Sequence, residues 1–256
     1  MKTIAVANQK GGVGKTTTSV NLAASLAAMG RSILLVDLDP QGNATMSSGV
    51  DKHEVELTAY DLLTGGASLN EVAVPAGENG YHVIPSNRDL TAAEVELLQM
   101  DSRERRLANA LATGFQYDFV IIDCPPSLSM LTVNALVAAK SVIITMQCEY
   151  FALEGLSALL NTIRRISETV NPDLEIEGIL RTMYDPRNSL TGEVSGQLHK
   201  HFGDLVYRTV IPRNVRLAEA PSHGLPALHY DRYSAGARAY AALAGEFVKR
   251  QSSGKA

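Results

Sequence analysis

Short apolar runs alternate with longer segments of helical periodicity along most of the chain. Uninterrupted runs such as residues 3–7 and 142–146 have the length and the β-branched content of buried strands. Between such runs apolar residues recur at helical spacing, as in residues 16–29, which Gly30 closes. Alternation of buried strands with helices is typical of parallel sheets. We therefore predict an α/β fold with a single doubly wound, mostly parallel sheet flanked by helices.

The remaining elements follow from the same two patterns. The predicted strands are residues 3–7, 32–40, 81–85, 119–123, 142–146, 174–183 and 206–212. The predicted helices are residues 16–29, 59–63, 91–100, 103–113, 152–170, 190–202 and 235–250. A chain of 256 residues with 45% hydrophobic content can bury one large core. We predict one domain over residues 1–250 and a disordered tail over residues 251–256.

A glycine-rich turn separates the first strand from the first helix. Residues 8–18, which we call the phosphate-binding loop, read Asn-Gln-Lys-Gly-Gly-Val-Gly-Lys-Thr-Thr-Thr. Gly14, Lys15 and Thr16 fit the pattern G-x-x-x-x-G-K-[ST], but Gln9 occupies the first glycine position and Lys10 adds a second lysine. Glycines permit close backbone approach, and the helix N-terminus favours anions. This strand–turn–helix context favours a phosphate site, with Lys15 on phosphate oxygens and Thr16 on Mg²⁺, over a turn without a ligand.

Acidic residues follow two other predicted strands. Asp39 lies just past the apolar run of the second strand, where it can orient an attacking water, and Asp123 ends the strand at residues 119–123 in the position of a metal-holding carboxylate. A lone acid at a strand end is more often a cap or turn former. Because ligands bind beyond the carboxyl ends of the strands in open α/β sheets, these residues and the phosphate-binding loop are expected to converge.

These motifs resemble those of one family. The resemblance is carried by Lys10-Gly-Gly-Val-Gly-Lys-Thr-Thr17, Asp37-Leu-Asp-Pro-Gln-Gly-Asn43 and Asp123-Cys-Pro-Pro126, which are similar to the deviant Walker-A ATPases of the ParA/MinD superfamily. Residues 147–156 and 211–222 resemble the chromosomal ParA (Soj) partition proteins within it. The resemblance extends over about residues 2–249 and implies a P-loop NTPase fold.

The resemblance also implies a mechanism and a set of site residues. Two subunits sandwich two ATP molecules, and Lys10 reaches the partner's phosphates, much as an arginine finger does. The implied nucleotide-binding residues are Lys10, Gly11, Gly12, Val13, Gly14, Lys15, Thr16, Thr17, Pro212 and Asn214. The implied catalytic residues are Lys10, Lys15 and Asp39. The implied Mg²⁺-binding residues are Thr16, Asp39 and Asp123. For Asn214, capping of the next helix is an equal alternative to a purine contact.

Charge is distributed unevenly along the chain, although the formal net charge is only −4. Residues 1–180 contain 12 Lys and Arg against 21 Asp and Glu, whereas residues 181–256 contain 11 against 6. Such asymmetry hints at a polyanion but is common on ordinary surfaces. The resemblance implies non-specific binding of double-stranded DNA by the ATP dimer. The candidate contacts are Arg187, Arg216, Arg213, Arg208 and Lys200. Capping of a carbonyl, or pairing with Asp185 or Glu219, is the alternative role of each.

Partners and location follow from the resemblance as well. It implies an ATP-dependent homodimer, a ParB-type centromere-binding protein that stimulates hydrolysis of ATP to ADP, and a cytoplasmic, nucleoid-associated protein. Relatives that position another cargo, a metabolic P-loop ATPase and a MinD-like membrane protein are the alternatives. Against the last, Tyr240, Leu243 and Phe247 favour docking of the last helix on the core, and no apolar run reaches the roughly 20 residues that a span needs.

The two cysteines, Cys124 and Cys148, lie beside predicted strand ends. This placement is typical of reduced thiols rather than of a disulfide framework. An iron–sulfur cluster at a dimer axis is the alternative, since nitrogenase iron proteins share the deviant loop. It is disfavoured because Cys124 directly follows Asp123.

Replacement of Lys15 tests the assignment of the phosphate-binding loop. Lys15→Ala removes the cation expected on the β- and γ-phosphates, so we expect it to abolish nucleotide binding. Isothermal titration with ATP and Mg²⁺ measures this directly. Tight ATP binding by the variant would refute the assignment.

Overall fold

The computed structural model describes residues 1–113 and 116–252. The strands are β1 (Lys2–Ala7), β2 (Ile33–Asp37), β3 (Val74–Pro75), β4 (His82–Ile84), β5 (Phe119–Asp123), β6 (Ser141–Gln147), β7 (Glu175–Tyr184) and β8 (Val206–Pro212). The first six helices are α1 (Lys15–Ala28), α2 (Asn43–Ser47), α3 (Ala59–Thr64), α4 (Leu69–Val72), α5 (Leu90–Leu97) and α6 (Arg106–Ala112). The other six are α7 (Met130–Ala138), α8 (Ala152–Thr169), α9 (Ser189–Phe202), α10 (Val215–Glu219), α11 (Ala227–Tyr230) and α12 (Ala235–Ser252).

The strands form one eight-stranded sheet in the order β3-β4-β2-β5-β1-β6-β7-β8. All neighbours are parallel except β3 and β4. The predicted α/β fold with a mostly parallel sheet is therefore confirmed. β1 lies at the centre, and the carboxyl ends of β2, β5, β1 and β6 meet at one edge. This edge is where a parallel sheet places its ligands.

Helices cover both faces of the sheet. Along β1, Ile4 and Val6 point to the face covered by α1 and α12, whereas Ala5 and Ala7 point to the face covered by α3–α9. The alternation of side chains along a strand divides the interior into two cores. Because every one of these strand positions is buried, the strands carry uninterrupted apolar runs rather than alternating patterns.

The last helix packs against the protein itself. Tyr240, Leu243 and Phe247 of α12 are almost completely buried against α1 and β8, as the sequence pattern predicted. The Tyr240 hydroxyl also shares a 3.1 Å hydrogen bond with Thr18 of α1. Within the described part of the chain, no helix combines the length and apolarity of a membrane span.

Several elements differ from the sequence prediction. Helices α2, α4, α7, α10 and α11 and the antiparallel strand β3 were not predicted, and the predicted helix at 103–113 is a 3₁₀ turn (Arg103–Arg105) followed by α6. Short helices lack the repeated apolar spacing that marks long ones, and α7 is apolar on nearly all sides because it is buried. α12 continues to Ser252, so the first two residues of the predicted tail are helical. Residues 253–256 lie outside the described residues.

Gly178 of β7 offers a test of how tightly the sheet edge is packed. A Cβ atom there would lie 2.6 Å from a ring carbon of Tyr207 and 2.8 Å from the carbonyl oxygen of Leu205. We expect Gly178→Ala to lower the free energy of unfolding by about 1–3 kcal/mol, since the buried ring must shift. Urea denaturation measures the change.

Gly196 in α9 is the matched control for this substitution. A Cβ atom there meets no atom within 4 Å, so Gly196→Ala should be neutral or stabilise by up to about 1 kcal/mol. Equal effects of the two variants would contradict the packing argument.

Candidate nucleotide-binding site

The phosphate-binding loop forms a backbone cradle between β1 and α1. Gly12 and Gly14 adopt left-handed φ angles of 72° and 81°, which a side chain would strain. The Thr182 hydroxyl at the end of β7 donates a 2.8 Å hydrogen bond to the carbonyl of Val13 and so fixes the loop from the other side. The loop leads into the N-terminus of α1, whose free N–H groups favour an anion.

Lys15 is the buried cation of this loop. Only 6% of the residue is exposed, and its ammonium donates a 3.2 Å hydrogen bond to the carbonyl of Lys10. Burial lowers the pKa of Lys15, while the nearby carboxylates of Asp123 and Asp39 counteract that effect. A lysine that is desolvated and points towards a glycine-rich cradle gains strongly from a phosphate ligand, because the ligand supplies the missing counter-charge.

Asp123 lies at the centre of the site and is completely buried. It accepts hydrogen bonds from the hydroxyls of Thr16, at 2.7 Å, and Ser19, at 2.8 Å. Burial and the neighbouring charge of Asp37 raise the pKa of Asp123 to about 7, against the opposing effect of these hydroxyls. The carboxylate and the Thr16 oxygen are hard donors suited to Mg²⁺ or to its water shell.

Asp37 is a second buried acid that the sequence reasoning did not assign to the site. It faces Asp123 in register on the adjacent strand and accepts hydrogen bonds from the Thr45 backbone and hydroxyl at 2.8 and 2.7 Å. Burial raises its pKa to about 6. Asp37 ends an apolar strand two residues before Asp39, and this position in the sequence could have indicated a site residue.

Asp39 lies beyond β2, on the loop that leads to α2. Its Oδ1 accepts a 2.9 Å hydrogen bond from the Gln41 backbone, and its carbonyl accepts one of 2.8 Å from the Ser86 hydroxyl. These bonds hold a half-buried carboxylate at the mouth of the cleft. The structure thus brings Asp39 together with Lys15, Thr16 and the glycines, as the sequence predicted.

A cleft of about 420 Å³ opens above the loop. Gly11, Gly12, Gly14, Lys15, Thr16, Thr17, Asp39, Pro212, Arg213 and Asn214 are among its lining residues. The lining also includes Asn43, Pro126, Thr182 and Met183, which the sequence reasoning had not singled out as site residues. Met183 is one of two non-glycine residues in the described chain with a positive φ, 47°. No sequence pattern predicts a left-handed backbone conformation at a methionine.

Asn214 caps the N-terminus of α10, which was the alternative to a purine contact, and it also lines the cleft. Its side-chain oxygen accepts a 3.2 Å hydrogen bond from the Arg216 backbone at the start of α10. The amide nitrogen remains on the same side chain as a donor for a base. Pro212 ends β8 beside it, so the two predicted adenine-site residues do reach the cleft.

Lys10 stands apart from these groups. Its side chain does not line the cleft but forms an ion pair with Glu149, and about half of each side chain is exposed. Val13 is also turned away, with its side chain in the interior. The two lysines of the loop therefore have different surroundings: Lys15 is buried inside the site, and Lys10 faces outwards.

The donor set fits magnesium bound together with a nucleotide. The described residues contain no group of three or more His, Cys, Asp or Glu side chains that could hold a metal. Mg²⁺ is commonly held by one or two protein oxygens and completed by phosphates and water. Thr16 and Asp123 supply such oxygens, with Asp39 at the mouth.

The candidate DNA contacts separate into two groups. Arg187, Arg213 and Arg216 follow the carboxyl ends of β7 and β8, at the same edge as the cleft. Arg187 pairs with Asp185 at 2.8 Å, and Arg216 pairs with Glu219 at 2.7 Å and Asp231 at 3.5 Å, so the predicted alternative pairings are present.

Arg208 and Lys200 form the second group and lie elsewhere. Arg208 lines a separate cavity of about 800 Å³ with His199 and Arg250, and Lys200 is in the last turn of α9. Neither residue shares the edge that holds the cleft.

Both thiols are free and buried. Burial raises the pKa of Cys124 and of Cys148. Inert, protonated thiols fit the predicted reduced cysteines better than ligands of an exposed cluster.

Comparison with known proteins identifies the family. A family model described as an AAA domain matches residues 1–176. The sporulation initiation inhibitor protein Soj of Bacillus subtilis is 54% identical over 96% of this chain and 97% of its own. The chromosome partitioning protein ParA of Caulobacter vibrioides is 50% identical over 98% and 95%. The chain belongs to the ParA/Soj family of chromosome-partitioning ATPases.

This ParA/Soj family member is similar in structure to a protein solved with a bound nucleotide. The structure is a cobyrinic acid a,c-diamide synthase from Mycobacterium smegmatis with bound ADP and magnesium. It is 38% identical, has a TM-score of 0.87 and covers 100% of this chain and 97% of its own. The shared fold extends over the whole ParA/Soj chain, including the edge that carries the cleft.

The paired acids predict how stability depends on pH. The pKa of Asp123 is about 7 in the folded protein but near 4 in an unfolded chain, so between these values the folded state binds the additional proton. That contribution is present at low pH and is lost as pH rises through 7. Nucleotide-free protein in EDTA should therefore become less stable from pH 5 to pH 8, with most of the loss below pH 7, by at most about 1.4 kcal/mol per pH unit per group.

Asp123→Asn removes the titrating carboxyl and should flatten this dependence. Thermal unfolding at several pH values measures the slope, and Asp101→Asn on the exposed surface is the control for loss of one charge. If the slope of Asp123→Asn equals that of the parent, the buried pair is not its cause. Added Mg²⁺ should restore stability at pH 8 in the parent only.

Proposed function

We propose that this chain is an ATP-dependent DNA segregation protein. ATP binds with Mg²⁺ in the cleft and drives formation of a sandwich dimer, and the dimer binds nucleoid DNA without sequence preference. A ParB-type centromere-binding partner stimulates hydrolysis to ADP and release, which partitions a chromosome or plasmid. The protein acts as one domain in the cytoplasm, with slow hydrolysis in the absence of the partner.

The observation that carries the ATPase assignment is the convergence of oppositely charged groups at one sheet edge. Lys15 and the glycine cradle would hold the phosphates, and Asp39 at the cleft mouth would orient the attacking water. Thr16 and Asp123 would hold Mg²⁺, which would neutralise charge on the β- and γ-phosphates when bound. Lys10 would add a second cation from the partner subunit, and an outward side chain supports that role.

Binding of DNA is supported by the distribution of basic residues and by sequence similarity to chromosome-partitioning proteins. Three arginines follow two neighbouring strands at the cleft edge, within the basic portion of the sequence. The existing ion pairs of Arg187 and Arg216 lie at the surface, where such pairs contribute little and are readily exchanged. Phosphates can replace these carboxylates and gain from counterion release. The relatives at 50–54% identity are named for chromosome partitioning or for Soj.

A metabolic role is the alternative, since the relative of known structure at 38% identity is named as a synthase. Higher identity to the partitioning proteins favours segregation. Positioning of another cargo uses the same site and differs only in the partner. A membrane-associated role receives no support from α12, whose apolar side chains are buried in the core.

Binding to random-sequence duplex DNA tests the proposal. We expect binding with ATP but not with ADP or without nucleotide. Only the ATP dimer presents the arginines of two subunits together. Affinity should fall steeply with salt and be independent of sequence. Fluorescence anisotropy measures both. Absence of DNA binding in all three nucleotide states would remove segregation as the function and leave an ATPase.

A charge reversal at Arg216 identifies the DNA surface. Arg216→Glu should weaken DNA binding at least tenfold and leave ATP-dependent dimerisation intact. Arg164→Glu on the exposed side of α8 is the control for the change in net charge. If Arg216→Glu also abolishes dimerisation, Arg216 is structural; if Arg164→Glu weakens DNA binding equally, only net charge matters.

A further inference from the structure

The side chain of Lys10 is held by an acid of its own chain. Its ammonium is paired with the carboxylate of Glu149. Glu149 follows β6, on the loop that leads to α8. The ion pair therefore joins the phosphate-binding loop to the neighbouring loop at the same edge of the sheet.

The main chain of Lys10 is held as well. Its N–H donates a 2.9 Å hydrogen bond to the Asn8 side chain, and its carbonyl accepts the 3.2 Å hydrogen bond from Lys15. Asn8 in turn donates a 2.6 Å bond to the carbonyl of Thr145 in β6. The Lys15 ammonium has three N–H donors, so a phosphate can bind it beside the Lys10 carbonyl. The main chain and the side chain of Lys10 are therefore both held within its own subunit.

Exposed aromatic side chains follow Glu149 directly. Tyr150 and Phe151 are 75% and 70% exposed. Their rings are arranged edge to face, with 5.0 Å between the ring centroids. Leu128, on the loop after β5, is a further exposed apolar residue at this edge. Adjacent exposed aromatics favour burial against another protein surface. The segment that holds Lys10 is thus continuous with a surface that a second copy of the chain can cover.

We infer that Glu149 is a positioning residue that retains Lys10 on its own subunit and thereby raises the concentration at which the ATP-bound protein dimerises. This inference rests on the proposed function, in which Lys10 reaches the phosphates of the partner subunit. The ammonium must leave Glu149 before it gains that contact, so the free energy of the ion pair opposes association. Because ion pairs of half-exposed side chains are weak, the threshold changes by a small factor.

The dimer dissociation constant tests the inference. Sedimentation velocity with a non-hydrolysable ATP analogue and Mg²⁺ compares the parent with Glu149→Gln. We expect Glu149→Gln to lower the dissociation constant two- to fivefold, because the competing carboxylate charge is gone. Glu154→Gln is the matched control: it removes the same charge from an exposed position in the first turn of α8 and should change nothing.

A double-mutant comparison separates the ion pair from other effects. In a Lys10→Ala background, Glu149→Gln should leave the dissociation constant unchanged, since the pair is already absent. Weaker or unaltered dimerisation in Glu149→Gln alone would overturn the inference, as would an equal effect of Glu154→Gln. A parent that forms no dimer with the analogue contradicts the proposed function itself, and that outcome is distinct from a dimer insensitive to Glu149.

A zero-length cross-link reports the resting contact without reference to dimerisation. Carbodiimide activates the Glu149 carboxyl, and attack by the Lys10 amine forms an amide with loss of the urea by-product. Peptide mapping should find this link within one chain in the nucleotide-free protein and lose it with the ATP analogue. Its absence in the nucleotide-free protein would overturn the inference. A link between isotopically distinct chains with the analogue would do the same, because Glu149 would then act across the interface.

Discussion

The hydrogen bonds between α1 and Asp123 are the contact on which the site depends. The hydroxyls of Thr16 and Ser19 reach the carboxylate at 2.7 and 2.8 Å, so the first turn of α1 is fixed to the end of β5. Because β5 pairs with both β1 and β2, the same contact sets the distance from the phosphate-binding loop to Asp37 and Asp39. A displacement of α1 would disturb the glycine cradle and the oxygens of Thr16 and Asp123 together.

This arrangement concentrates charge that the folded protein alone does not neutralise. Asp37 and Asp123 are buried side by side, and burial raises the pKa of both. Lys15 is buried opposite them and has a lowered pKa. Each group is destabilised in its charged form until an ion of opposite sign arrives. A nucleotide with Mg²⁺ would supply both signs at once, which makes these buried groups suited to such a ligand.

The surface around the cleft has the opposite character, since its charges are paired but exposed. Lys10 with Glu149, Arg187 with Asp185 and Arg216 with Glu219 are all surface pairs. Such pairs are weak enough to be exchanged for phosphate groups of a second molecule. The buried charges thus remain within one subunit, whereas the exposed pairs can be exchanged for contacts with another molecule.

The amino-acid sequence by itself determined the fold class, most of the longer elements and the residues of the phosphate-binding loop, because these depend on local periodicity and on a motif of adjacent residues. Only the tertiary structure showed that Asp37 faces Asp123, that Thr182 and Met183 reach the cleft and that Lys10 is paired with Glu149. It also separated Arg208 and Lys200 from the other arginines. These relations join residues far apart in sequence, and strand order and packing decide them rather than any local pattern.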